Sequence, residues 1–206
     1  MGVLTRSAFS YSSRVFFPLD DSLPNPEEQE QLLRKDEEKW REVRIARRWQ
    51  DGCPVFLAED TETGRVVGVA QWKPPKGDGR WKREGTGLED MDTEPPASMD
   101  VKKYDEVMAG VGVDEGRALK KVGLEEENCW YLMTIATTPD QKRRGIGKML
   151  MQWGLDQAKA DKRNVFLTAT DEGKFLYEKV GFKLLDEFEA AGKTHYAMML
   201  FNQGDE

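Results

Sequence analysis

Apolar positions along this chain change their spacing repeatedly, and the changes divide it into elements. Residues 11–26 are turn-rich. PNPEEQEQLLRKDEEKW then opens a helix, with Asn25 as its N-cap, Pro26 in the first turn, Glu28 closing a capping box and an end near Trp49. CPVFLAED and GRVVGVAQW, rich in Val, Phe and Leu on either side of DTETG, predict an antiparallel hairpin. CWYLMTIAT, a continuous apolar and β-branched run, predicts a central buried strand that ends at Pro139 and Asp140. Ile146, Met149, Leu150, Trp153 and Ala158 follow helical spacing, and NVFLTAT reads as a second buried strand. EGKFLYEKVGF predicts a short helix stopped by Gly181 in a left-handed cap, and FKLLDEFEA and THYAMMLF a closing hairpin around AGK. Residues 73–93 have glycine, proline and charge without periodicity and read as a long exposed loop. Residues 97–124 read as mostly helical, with Gly110, Gly112 and Gly116 arguing against one continuous helix. The class is mixed α/β, with no internal repeat.

Composition narrows the function. At 206 residues and 38% hydrophobic content, the chain fits a single domain over 1–206. A formal net charge of -7 and a pI near 5.0 argue against general binding of nucleic acid or anionic membranes. No apolar stretch reaches the roughly 20 residues of a membrane span, and MGVLTRSAFSYSS lacks the apolar centre of a secretory signal. Arg6 makes MGVLTR a poor myristoylation match, so the expected location is cytoplasmic. Cys53 and Cys129 lie far apart and His195 is the single histidine, which favours neither a zinc site nor a disulfide scaffold. No metal cofactor is expected.

Against that acidic background, PDQKRRGIGKML places basic side chains and two glycines between a strand and a helix. Unpaired N–H groups and the helix dipole favour an anion there. A P-loop would need a glycine five residues before the Gly-Lys pair and a hydroxyl after it, where this chain has Lys142 and Met149. A dinucleotide fingerprint would need a third glycine where Leu150 stands. What remains is an R-R-G-x-G-K anion nest entering a helix.

That nest resembles the acetyl-CoA loop of the GNAT superfamily of N-acetyltransferases. IATTPDQKRRGIGKMLMQWGLDQA is similar to the family's fourth strand, pyrophosphate loop and third helix, and FLYEKVGF to the motif after its fifth strand. Together they span about residues 129–185, and their wording is closest to fungal members. The resemblance implies a GNAT fold: a mixed, mostly antiparallel central sheet flanked by helices and splayed at the acetyl-CoA site. It implies pantetheine pairing at Ile135, Ala136 and Thr137, and pyrophosphate on Lys142, Arg143, Arg144, Gly145, Ile146, Gly147 and Lys148. Tyr177 takes the place of the proton donor to the departing thiolate. The chain departs from the family pattern in four places. Lys142 stands where Gln or Arg is usual, Thr170 where many members have a coenzyme-binding asparagine, and Val165 where many bacterial protein acetyltransferases carry a glutamate base. Most of the usual opening strand and helix is also missing, so residues 1–50 are atypical and shortened, while 73–127 form a long insertion.

An alkylamine acceptor, with a pKa of about 10.4, costs about 4 to 5 kcal/mol to present neutral at pH 7. Candidate bases are Glu125, Glu126 and Glu127 before the central strand, and His195. Trp72, Trp81 and Trp130 are candidates for an acceptor pocket, each with an alternative place in the core. Asp90, Asp92 and Glu94 lack EF-hand spacing and read as a solvated loop. The expected reaction is acetyl transfer from acetyl-CoA to a primary amine in a ternary complex. The acidic surface favours a cationic acceptor such as a polyamine, an amino sugar or a peptide amine. The alternative is a non-catalytic acyl-CoA-binding or scaffold protein, and a homodimer is the expected way for a second chain to replace the missing elements.

Overall fold

The structure is a computed structural model describing residues 1–22, 24–83, 86, 88 and 91–202. Three helices come first: α1 (Gly2–Ala8), α2 (Ser13–Phe16) and the long α3 (Pro26–Gln50). They are followed by β1 (Val55–Glu59), β2 (Val66–Lys73), α4 (Val101–Lys120) and β3 (Trp130–Thr137). The chain closes with α5 (Ile146–Ala160), β4 (Val165–Thr170), α6 (Asp171–Val180), β5 (Lys183–Ala190) and β6 (Lys193–Leu200). The six strands form one sheet in the order β1-β2-β3-β4-β6-β5, antiparallel throughout except for the β3–β4 pair.

Both predicted hairpins form. Asp60 makes the first turn, its Oδ1 accepting the N–H groups of Glu62 and Thr63, and Gly64 has a positive φ. Ala191 and Gly192 make the second, both at positive φ, the geometry of a two-residue hairpin loop. The predicted Gly181 cap is present at φ 109, taking two helical carbonyls.

Two expectations are corrected. Asn25 stands at the predicted N-cap with Pro26 after it, but its backbone is left-handed (φ 71) and its side chain makes no capping bond, because a capping side chain needs an extended backbone at that position. Helix α4 is continuous over 20 residues despite its three glycines. Asp100 Oδ1 accepts the Lys103 N–H at its start. Tyr104 and Val107 pack with Phe16, Leu33 and Trp40, and Val111, Ala118 and Leu119 pack with Phe166 and Met199. Burial at both ends of the helix outweighs the roughly 1 kcal/mol that each glycine costs in a helix.

The helices divide between the two faces of the sheet. On one face, α5 lies across β1, β2 and β3, and α6 lies on β4 and β6. Trp72, Trp130, Leu132, Met151, Leu167 and Met198 form the core there. The approach of α5 is close: a Cβ at Gly154 would sit 2.2 Å from the Trp72 ring, and one at Gly68 2.9 Å from Ile146 and Leu150. On the other face, Leu4 of α1 packs on Val69 and Ala136, while α3 is tied to the sheet by Gln71 Nε2 donating to the Ile45 carbonyl at 3.0 Å. The buried Glu37 joins the N-terminal helices, pairing with Arg41 at 2.7 Å and Arg6 at 3.2 Å and accepting the Ser13 hydroxyl at 2.9 Å. No strand precedes Val55 among the described residues.

Candidate active site

The parallel pair β3–β4 is joined only from Trp130↔Val165 to Leu132↔Leu167. Beyond Leu132 the two strands part, and one residue of sequence explains where. The β2 register jumps from Trp72↔Leu132 to Gln71↔Thr134, leaving Met133 as an extra residue on β3. Such a bulge bends the strand and increases its twist. Ile135, Ala136 and Thr137 keep their β2 partners Ala70, Val69 and Gly68 but have no strand on the β4 side. The result is an open V whose backbone edge is free to pair with an extended ligand.

The glycine loop closes the wide end of the V. Lys142 is extended, Arg143 has φ 64 and Gly145 has φ 81 as the N-cap of α5. The first helical bond in this turn runs from the Met149 N–H to the Gly145 carbonyl, so the N–H groups of Ile146, Gly147 and Lys148 are left to external acceptors. Left-handed residues alternating into a helix start make a concave nest of donors, which suits an anion. Lys142, Arg143, Arg144 and Lys148 are exposed around it, with Arg144 bonded to Gln141. Gly147 leaves room for α6, since a Cβ there would meet Leu176 at 3.2 Å.

Tyr177, the candidate proton donor, lies on α6 within the core on the α5 side of the sheet. Its ring is buried edge-on to Phe182 at 5.8 Å, burial pushes its pKa well up, and its hydroxyl has no hydrogen bond among the described residues. A phenol so placed stays protonated at neutral pH, with a proton to give rather than the charge of a base. Thr170, at the end of β4, lies opposite His195 of β6.

The predicted bases do not converge on this opening. Glu126 and Glu127 pair with Lys73 and Lys76 at the closed end of the V, at 2.6 and 2.8 Å, in the short turn that also follows Glu125. His195 has both ring nitrogens engaged. Its Nδ1–H donates to the Lys193 carbonyl at 2.9 Å, and Nε2 accepts the Tyr11 hydroxyl at 3.1 Å, which ties the N-terminal segment to β6. Trp72 and Trp130 are sealed in the α5-side core, and Trp81 packs edge-on to Trp153, so these residues form structure rather than a pocket. Asp92 accepts the Glu94 N–H within a turn, and Asp90 lies outside the described residues.

A carboxylate does sit where the strands part, on an element that sequence reading left weakly defined. Glu115 of α4 is 6% exposed, and its Oε1 accepts the hydroxyls of Tyr131 on β3 at 2.7 Å and Thr168 on β4 at 2.6 Å. Tyr131 lies one residue before the last β3–β4 pair and Thr168 one residue after it. Burial raises the Glu115 pKa, partly offset by these two hydrogen bonds. Its Oε2 makes no hydrogen bond among the described residues. The available sequence signal was a charged residue in step with Val111, Ala118 and Leu119, the apolar stripe of α4.

Comparison with known proteins agrees with this geometry. Residues 19–182 match the model of the acetyltransferase (GNAT) family. A 46-residue segment is 41% identical to "Probable acyltransferase SID5" of Ajellomyces capsulatus. That match covers 22% of this chain and 34% of the relative, so the chain spans about a third of the curated protein it matches. Among solved structures, histone acetyltransferase HPA2 and related acetyltransferase from Corynebacterium glutamicum superposes with a TM-score of 0.56 at 21% identity, over 98% of this chain and 90% of that one. The C-terminal condensation domain of Ebony, bound to beta-alanyl-dopamine, gives 0.58 at 14% identity over 97% and 91%. Mosquito arylalkylamine N-acetyltransferase like 5b gives 0.53 at 15% identity over 91% and 86%. At these identities the superpositions establish the fold.

Proposed function

The chain belongs to the GNAT acetyltransferase family, and from that premise we propose that it transfers an acetyl group from acetyl-CoA to a primary amine by direct attack in a ternary complex. The observation that carries this reading is the V between β3 and β4, opening at the Met133 bulge on the strand that runs on into the donor nest of 143–148.

In this reading the nest holds the pyrophosphate, and Ile135, Ala136 and Thr137 pair with the pantetheine arm. A backbone N–H at the bulge polarises the thioester carbonyl, where it is most valuable because it faces developing negative charge. Glu115, with a pKa raised by burial and one oxygen unengaged among the described residues, takes the proton of the attacking amine. The new C–N bond forms as the C–S bond breaks, and Tyr177 gives its proton to the departing sulfur. Thr170 lies beside the cofactor arm in place of the asparagine seen in many members.

The test is thermal unfolding with acetyl-CoA, ATP or NAD, followed by free-thiol release over a panel of amines, on wild type and Gly145→Glu. At about 100 times its dissociation constant acetyl-CoA should add about 2.7 kcal/mol of stability to wild type, and Gly145→Glu should lose that shift. Amine-dependent thiol release should follow. No shift with acetyl-CoA would overturn the cofactor assignment. A shift without thiol release from any amine would instead point to a protein that binds the acyl donor without using it.

A further inference from the structure

Four of the five arginines of α3 lie in its C-terminal half, and two of these have no counterion among the described residues. Arg41 is paired with Glu37, and Arg47 with Asp51 and Thr93. Arg44 and Arg48, one turn apart, have no carboxylate partner among the described residues, in a chain with 38 acidic and 31 basic side chains. Arg44 lies over the Tyr104 ring at 5.1 Å. Burial lowers its pKa to about 10, and the positive charges of Arg48 and Arg41 act in the same direction. A partly desolvated guanidinium beside two like charges is costly unless an anion arrives.

The two side chains stand where a substrate could meet them. Both line a cleft of about 230 Å³ with Trp40 and Thr93, and both line a narrower recess reaching Thr134, the residue after the Met133 bulge. The indole N–H of Trp40 is buried without an acceptor among the described residues. Unpartnered donors therefore gather on this wall. The recess reaches β3 at Thr134, three residues from Tyr131, whose hydroxyl bonds Glu115, so the arginine pair and the carboxylate border the same strand. The cofactor's phosphates have their own basic loop at the start of α5, a helix packed on the opposite face of the sheet.

We propose that Arg44 and Arg48 hold an anionic group carried by the acceptor, so that the substrate is an amine bearing a carboxylate or a phosphate. This rests on the acetyl-transfer reading above. It reverses the preference drawn from net charge, because the local field of two unpaired guanidinium groups acts at contact distance, while the acidic surface acts through screening water. A bidentate arginine would fix the anion and direct the amine at the other end towards Glu115.

Matched acceptors test this: 4-aminobutyrate against butylamine and phosphoethanolamine against ethanolamine, by thiol release at constant ionic strength. In wild type the anionic member of at least one pair should have kcat/KM about 10- to 100-fold above its partner, mainly through KM, as expected for charge-assisted hydrogen bonds. The favoured pair tells carboxylate from phosphate. Arg44→Gln and Arg48→Gln should each lose most of that margin while KM for acetyl-CoA stays unchanged. Neither arginine has an ion pair among the described residues to lose, so both variants should fold. Equal use of charged and uncharged amines, or a margin that survives in both variants, would overturn the proposal and leave acetyl transfer standing. If no amine is turned over, melting in the anionic amines alone decides: a shift in wild type lost in Arg44→Gln keeps the anion site while acetyl transfer fails, and no shift rejects both.

Discussion

On the α5 side of the sheet, Trp72, Leu167 and Met198 are packed in an apolar core, whereas on the α3–α4 side Gln71, Glu115 and His195 are buried against the same sheet and Glu37 among the N-terminal helices. The first face is a close-packed support on which Gly154 and Gly68 let α5 settle against the sheet. The second face holds charge and hydrogen-bonding capacity away from water, an arrangement that stores polar groups for use and costs stability to maintain. The strands between them serve both. Their α5-side residues anchor the helix that follows the glycine loop, and their opposite side presents Tyr131 and Thr168 to Glu115 and Thr134 to the recess beside Arg44 and Arg48.

This contrast can be broken first on the supporting face. Trp72→Ala should lower stability by about 3 to 5 kcal/mol in denaturant unfolding, because a large fully buried ring is removed from beneath α5. A loss below about 1 kcal/mol would mean that this face is not the rigid half. On the polar face the effects should appear in rate. Glu115→Gln keeps an oxygen able to accept both hydroxyls but removes the base, and it should reduce kcat/KM by about 100-fold or more. The acid limb of the wild-type pH–rate profile, lying above the usual carboxylate range, should disappear with it.

Stability should move the other way. Because burial raises the folded-state pKa of Glu115 above its unfolded value, its protonated form is favoured by folding. That contribution is complete below the unfolded pKa and is lost as pH rises through the folded one. Glu115→Gln should therefore melt at or above the wild-type temperature at pH 7, with the gap closing towards about pH 4. A variant that is both slower and less stable at pH 7 would make Glu115 a structural residue. The smallest effect is expected at Tyr177. A thiol with a pKa of about 8.5 leaves tolerably as thiolate, so Tyr177→Phe should cost about tenfold in turnover, and unchanged turnover across the pH range would remove Tyr177 from the mechanism.

The two faces also differ in how far they could be read in advance. The glycine loop, the helix after it and the motif around Tyr177 are contiguous segments, so their geometry follows from local backbone preferences that the residue order displays. Glu115, Arg44 and Arg48 lie on helices whose neighbours in sequence say nothing about what they face. The same applies to the tryptophans, whose apolar rings fit a core or a pocket equally well until α5 is placed on them. His195 likewise had the right chemistry for a base, but both its nitrogens are taken by groups distant in sequence or fixed by the hairpin.

Periodicity and turn chemistry determined most of the strands and helices and the glycine turn that opens α5, because each depends on spacing within a dozen residues. The continuity of α4, the point at which β3 and β4 part, and the meeting of Glu115 with Tyr131 and Thr168 were decided only by tertiary structure. Those features arise from register between strands and from burial of one helix face against another, and the energies involved belong to pairs of segments rather than to either one.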